Sequence, residues 1–177
     1  MGNAYTVPGM NADDAKKVTA TLQERLFALL DLQLTLKHIH WNVVGPNFIS
    51  VHEMLDPQVN AVRDMSDEAA ERIATLGAVP VGTPGSLVAE RTWDDYSIGK
   101  ANTQEHLAAL DVVFTGVISD HRKAVEAFDE LDLVSQDMLI AQCDKLELYQ
   151  WFVRAHLEDG SGGIPDARTE KGAAAQQ

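Results

Sequence analysis

The chain has 177 residues, 45% of them apolar and 23% charged, which suffices for one domain with its own core and excludes a small disulfide-framed scaffold. Asp and Glu number 27 against 14 Lys and Arg, a formal charge of −13; such a chain has no global attraction for nucleic acid or anionic membranes, and cations are its natural counterpart. Cys143 stands alone, no apolar run approaches the roughly 20 residues of a membrane span, and the N-terminus lacks a basic, apolar leader, so a cytoplasmic, reducing location is expected.

Between Pro8 and Pro46 the chain is free of proline, and Leu22, Leu26, Leu29, Gln33, Leu36 and His40 recur at helical steps, predicting a long first helix with an apolar stripe. Asn11 or Asp13 can cap its start. Gly45 is placed for a left-handed position at its end, with Pro46 forbidding continuation. A second helix is predicted from between Asn47 and Ser50 to Leu76, with Ser50 and Glu53 at capping-box spacing, a kink at Pro57 and a stop at Gly77.

Residues 78–98 contain two prolines and two glycines and read as a long connection with one short helical piece. Leu107, Leu110, Phe114, Val117, His121, Val125 and Phe128 share the phase of a third helix. Leu139, Cys143, Leu146, Tyr149, Phe152 and His156 share that of a fourth. Four amphipathic helices with one long central connection define an all-α fold, a four-helix bundle with a crossover between helices 2 and 3, as in ferritin-like connectivity. Residues 1–10 form an N-terminal extension in this reading, 11–158 the bundle and 159–177 a flexible, Gly- and Ala-rich tail.

Chemistry concentrates on the second helix. His52, Asp56, Asp67 and Glu71 fall within an arc of about 100°, and each i, i+4 pair can offer two side chains to one cation. Imidazole with carboxylate suits iron, zinc or manganese; a solvated helix face is the competing reading for either pair alone. With a rise of about 1.5 Å per residue, Asp56 and Asp67 stand roughly 16 Å apart, beyond one coordination sphere. Two copies of the helix crossing antiparallel near residues 61–62 would bring the His52/Asp56 end of one to the Asp67/Glu71 end of the other, giving two equivalent sites at a dimer interface. His40, in phase with Leu29 and Leu36, is the candidate third contributor from the first helix, and Trp41 is by default a packing residue beside it.

An intrachain di-iron bundle needs E-x-x-H motifs on two helices, and none occurs. His52-Glu53-Met54-Leu55-Asp56 matches H-E-x-x-H only with its last ligand replaced, a weak sign of a zinc protease. Cys143 lies in an apolar helical phase and reads as core; His106, His121 and His156 have no context for a functional role.

HWNVVGPNF (His40–Phe48), VHEMLD (Val51–Asp56) and DEAAERIATLG (Asp67–Gly77) resemble, in order and spacing, the signature of the Dps mini-ferritins, and the likeness spans about residues 10–158. RTWDDYS and LVSQDMLIA are similar to actinobacterial members. The resemblance implies a ferroxidase centre shared between two-fold-related subunits, with His40, His52 and Asp56 of one chain and Asp67 and Glu71 of its partner as iron ligands. Trp41 matches the aromatic residue beside that centre, where it would intercept reactive oxidant species. The implied activity is oxidation of Fe(II), preferentially by hydrogen peroxide, followed by ferric storage in a hollow homododecamer, with protection against oxidative damage; zinc is the expected competitor for the ligands. Asp137, Glu147 and, offset by one position, Asp132 resemble the acidic residues of the family's three-fold pores.

DNA-binding members use basic terminal arms, which act by counterion release. Here Asp13 and Asp14 face Lys16 and Lys17 at one end, and Glu158, Asp159, Asp166 and Glu170 face Arg168 and Lys171 at the other. Weak or absent DNA binding is expected. The reading from another class is a structural, DNA-compacting nucleoid protein whose metal site serves structure alone.

Overall fold

The computed structural model describes residues 5–158; residues 1–4 and the expected tail, 159–177, lie outside the described residues. The order is α1 (Ala12–Asn42), β1 (Val43–Val44), α2 (Phe48–Thr75), α3 (Pro84–Glu90), β2 (Ala101–Asn102), α4 (Thr103–Phe128) and α5 (Leu133–Leu157). α1 packs chiefly against α2 and α4 chiefly against α5, and the segment carrying α3 crosses between the two hairpins. The four long helices form a ferritin-like bundle with the predicted crossover.

Each helix is delimited by local chemistry. Asn11 Oδ1 accepts from the Asp14 N–H at 2.9 Å, Asn102 Oδ1 from that of Glu105 at 3.0 Å, and Asp132 from those of Val134 and Ser135, so three of the long helices start on side-chain caps. α2 differs from expectation. Asn47 precedes it without a side-chain cap, and Ser50 Oγ donates to the Asn47 carbonyl, so the Ser50/Glu53 capping box does not form: Ser50 already lies inside the first turn, where its hydroxyl turns back on the chain. α2 then runs as one helix through Pro57.

At its end Gly77 takes φ +84°; its N–H bonds the Ala74 carbonyl and that of Ala78 bonds Ile73, the paired contacts of a Schellman stop. Gly45, at φ +111°, is not the residue that closes α1. That helix ends at Asn42, and Val43 and Val44 pair in parallel with Ala101 and Asn102. The two-residue ladder pins the α1–α2 turn to the start of α4, and nothing in the hydrophobic pattern signals it.

The core runs the length of the bundle: Leu22, Leu29, Leu32 and Leu36 from α1, Leu55, Val62 and Ile73 from α2, Leu107, Leu110, Phe114 and Phe128 from α4, and Leu139, Leu146 and Val153 from α5 are buried in one cluster. Val7 and Met10 of the N-terminal segment pack against it. The crossover is tied to α1 by polar contacts. Gln23 and the Val81 backbone exchange two hydrogen bonds of 2.7 and 2.8 Å, and Trp93 Nε1–H donates to Asp31 at 2.8 Å. His38, on the side of α1 away from His40, bonds the Ile98 carbonyl at 2.8 Å, so its role is to hold this connection.

Candidate metal centre

The sharp turn after α1 brings His40, near the end of that helix, against His52 in the second turn of α2. The imidazoles stack with centroids 3.6 Å apart and planes inclined by 21°. Their backbone contacts are reciprocal: His40 Nδ1 lies 2.9 Å from the His52 carbonyl, and His52 Nδ1 lies 2.9 Å from the His40 carbonyl. A carbonyl only accepts, so each Nδ1 carries its proton and donates, and each Nε2 presents a lone pair. Hydrogen bonds of this kind fix a ring in its metal-ligating tautomer and orientation. Two such rings side by side, supplied by two helices, could offer a pair of nitrogen ligands.

Asp56, one turn after His52, completes the cluster, with its carboxylate 3.4 Å from His40 Nδ1. Lys37 Nζ donates to the same carboxylate at 3.0 Å, and chiefly through that bond holds the Asp56 carboxyl below its ordinary range. The Lys37 ammonium also lies 5.7 Å from the Trp41 ring centroid, where the face of the indole attracts it. Trp41 itself is 71% exposed in the single chain, which makes it a surface aromatic beside the cluster and not the helix-end packing residue expected by default. Lys37 is the residue sequence reasoning missed. Its signal was its position, three residues before His40 and four before Trp41, on the same face of α1.

The structure therefore brings together His40, His52, Asp56 and Trp41. Asp67 and Glu71 stay apart from them on α2, exposed one helical turn from each other. Among the described residues of one chain, no group of three His, Cys, Asp or Glu side chains gathers as a metal site. Asp67 instead borders a concave surface of mixed character, where Leu26, Leu30 and Pro80 lie beside Arg63, Asp64 and Ser66.

The three acidic residues compared with pore positions have different surroundings. Asp137 is exposed. Glu147 accepts from Arg122 Nε at 2.6 Å. Asp132 is committed within the chain: it caps α5, receives the Ser135 hydroxyl and pairs with Arg72 Nη2 at 2.7 Å, with its side chain only 7% exposed. Burial acts to raise its carboxyl, but Arg72 and Ser135 outweigh burial and hold it below its ordinary value. Within the single chain Asp132 thus serves as the cap of α5 and the partner of Arg72.

Residues 19–162 match the model of the ferritin-like domain of the ferritin family. The chain is 58% identical, over 97% of its length and 94% of the relative's, to the DNA protection during starvation protein of Mycolicibacterium smegmatis. It is 49% identical to the fine tangled pili major subunit of Haemophilus ducreyi, covering 90% of this chain and 85% of that one. Among solved structures, DpsA14 from Streptomyces coelicolor superposes with a TM-score of 0.91 at 58% identity, covering 93% of this chain and 98% of that one.

Proposed function

Because the chain belongs to the ferritin-like family, and within it to the Dps proteins, we propose that it oxidises Fe(II) at centres shared between two-fold-related subunits and stores the ferric product inside a homododecamer. The observation that carries this reading is the stacked His40/His52 pair, each ring held through Nδ1 by a backbone carbonyl so that Nε2 keeps its lone pair, with the Asp56 carboxylate 3.4 Å from His40 Nδ1. Neutral imidazole nitrogen binds ferrous iron, and carboxylate oxygen favours the ferric product.

His40, His52 and Asp56 supply one half of the centre. Asp67 and Glu71, roughly 16 Å further along α2, supply the other half of the partner subunit's centre. Seating of the partner over the concave surface beside Asp67 would cover Leu26, Leu30 and Pro80 together with its polar rim. Hydrogen peroxide is the preferred oxidant: two Fe(II) each give up one electron, the O–O bond takes both electrons and two protons, and two waters leave. This two-electron step releases no hydroxyl radical, and Trp41 stands beside the centre to intercept any oxidant that escapes. Lys37 neutralises Asp56 until iron binds and must then yield its hydrogen bond. Zinc competes for the same ligands. Protons compete as well, since a protonated imidazole is no ligand. DNA is bound weakly or not at all, the first 17 residues being charge-balanced and residues 158–177 acidic.

Anaerobic loading with Fe(II), followed by a peroxide pulse, tests the reading. The wild type is expected to oxidise and retain iron, and Asp67→Ala/Glu71→Ala to lose most of both. Equal rates and equal retention in the two proteins would sink the assignment.

A further inference from the structure

We propose that the chain carries a second binding site, in the cavity between the first half of α1, the last turns of α4 and the crossover at residues 90–93, which takes a small organic monocarboxylate with Arg25 as its counter-charge. The cavity measures about 670 Å³, within the size range of small-molecule sites. At a rise of about 1.5 Å per residue, Arg25 stands roughly 22 Å along α1 from His40, so this site is separate from the metal centre.

Arg25 is the feature that asks for a ligand. The residue is only 5% exposed, yet its guanidinium forms no hydrogen bond among the described residues, and Nη1 is a buried donor without an acceptor. Asp120 Oδ2 lies 3.9 Å from Nη1, beyond hydrogen-bond reach, while Asp120 Oδ1 accepts from Lys123 Nζ at 2.8 Å. Arg25 and Asp120 both line the cavity and their charged ends approach to that distance, which puts the guanidinium, and not only its stem, at the cavity wall. The other ionisable groups near it do not neutralise it: Glu24 is exposed, and His121 on α4 is held uncharged, chiefly by burial. Burial accordingly pulls the Arg25 pKa below its ordinary value, against the opposing pull of Asp120 and then Glu24. A guanidinium stays charged even so, and a buried charge without a hydrogen-bonded partner is the costly arrangement that a carboxylate, accepting from it, relieves.

The wall sets the charge and shape of the ligand. Arg91 is committed to Asp31 and Asp95, and Lys123 to Asp120, which leaves one cation without a hydrogen-bonded partner and so a place for one negative charge. Exposed Glu24 and Glu90 on the same wall repel polyanions, and Arg25 repels cations. Ala20, Phe27, Ala124 and Ala127 add apolar surface. Trp93, whose N–H is spent on Asp31 at 2.8 Å, adds more. The class that fits is a monocarboxylate with an apolar or aromatic body.

Calorimetric titration of the metal-free, assembled full chain with hydrocinnamate tests the proposal, with hydrocinnamamide as the uncharged analogue and inorganic phosphate as the bare oxyanion. Hydrocinnamate should bind once per chain, and the amide and phosphate more weakly by on the order of 10-fold or more. Arg25→Met should weaken hydrocinnamate binding on the order of 10–100-fold, and Arg25→Lys should restore part of it. Ala20→Trp, which fills the cavity from an exposed position on its wall and leaves every charge in place, should abolish binding; it keeps the proposal testable should the Arg25 variants not fold. No binding to the wild type, equal affinity for the amide, or undiminished affinity in Arg25→Met or Ala20→Trp would overturn the proposal. So would a crystal structure grown with hydrocinnamate in which Arg25 and Asp120 form a direct hydrogen-bonded pair and the cavity is empty.

Discussion

Asp132→Ala separates a structural acid from a pore acid. In the native chain the carboxylate accepts from two backbone N–H groups at the start of α5 and from Ser135, and pairs with Arg72, whose side chain is 14% exposed against 7% for Asp132 itself. Arg72 Nε also donates to Ser135 Oγ at 2.9 Å, so the three side chains form a closed unit tying the end of α2 to the start of α5. Loss of the cap costs about 1 kcal/mol, and leaving the Arg72 charge unpaired in a mostly buried setting costs roughly 3 more. Asp132→Ala should therefore lower stability by about 4 kcal/mol per chain. Arg72→Met, which leaves the cap in place, should cost roughly half as much, and the double variant less than the sum. Guanidinium unfolding at one fixed protein concentration measures all three, since assembly makes stability concentration-dependent. Because the Asp132 carboxyl is depressed in the fold, its contribution is complete above the ordinary carboxylate range and is lost as pH falls through the lowered folded value. The variant should thus show a flatter acid limb than the wild type. A loss below 1 kcal/mol, or slowed iron uptake at unchanged stability, would refute this account and return Asp132 to the pore.

Lys37→Met removes the cation bonded to Asp56, so Zn(II) or anaerobic Fe(II) should bind on the order of 2–5-fold more tightly, as read by calorimetry; weaker binding would make Lys37 a supporting residue instead of a competitor. His121 is depressed to about 4 in the fold against an ordinary value near 6.5, so the native state resists its protonation. Stability should be intact above pH 6.5 and decline by roughly 3 kcal/mol per chain down to pH 4, a slope that His121→Leu should flatten in acid-unfolding curves. In gel-shift assays at about 150 mM salt, the protein should give no discrete DNA complex; a retarded band would favour the nucleoid-compacting reading.

The bundle is legible in the sequence because its signals are redundant. Leu22, Leu29 and Leu36 mark a buried face, Asn11 and Gly77 punctuate helix ends, and α1, α4 and α5 lie within proline-free spans, whereas α2 runs through Pro57. The β1–β2 ladder is invisible by contrast, since two residues on each side carry no periodicity and the pairing depends on where the crossover returns. Ser50 shows why a spacing rule fails. The S-x-x-E pattern is present, but the tight turn after Pro46 starts α2 at Phe48, leaving no orphan N–H for Ser50 to cap. The site was half legible: i, i+4 spacing groups His52 with Asp56, and helical phase turns His40 inward. Which nitrogen of each ring is free could not be read, because that depends on two carbonyls meeting two imidazoles across a turn.

The same physics accounts for the division of labour among the histidines. His40 and His52 each donate Nδ1–H to a carbonyl near the α1–α2 turn, so under the proposed function the free Nε2 lone pair would serve as a ligand. His121 also donates Nδ1–H to a carbonyl, but it lies deep between helices beside Arg25, whose fixed positive charge opposes a second one on the ring. Identical tautomers thus have opposite consequences. The neighbouring charge decides which imidazole can receive a cation, and the −13 of the whole chain matters less than where Arg25 and Lys37 sit: one inside the bundle, the other on a stem that iron would displace under the proposed function.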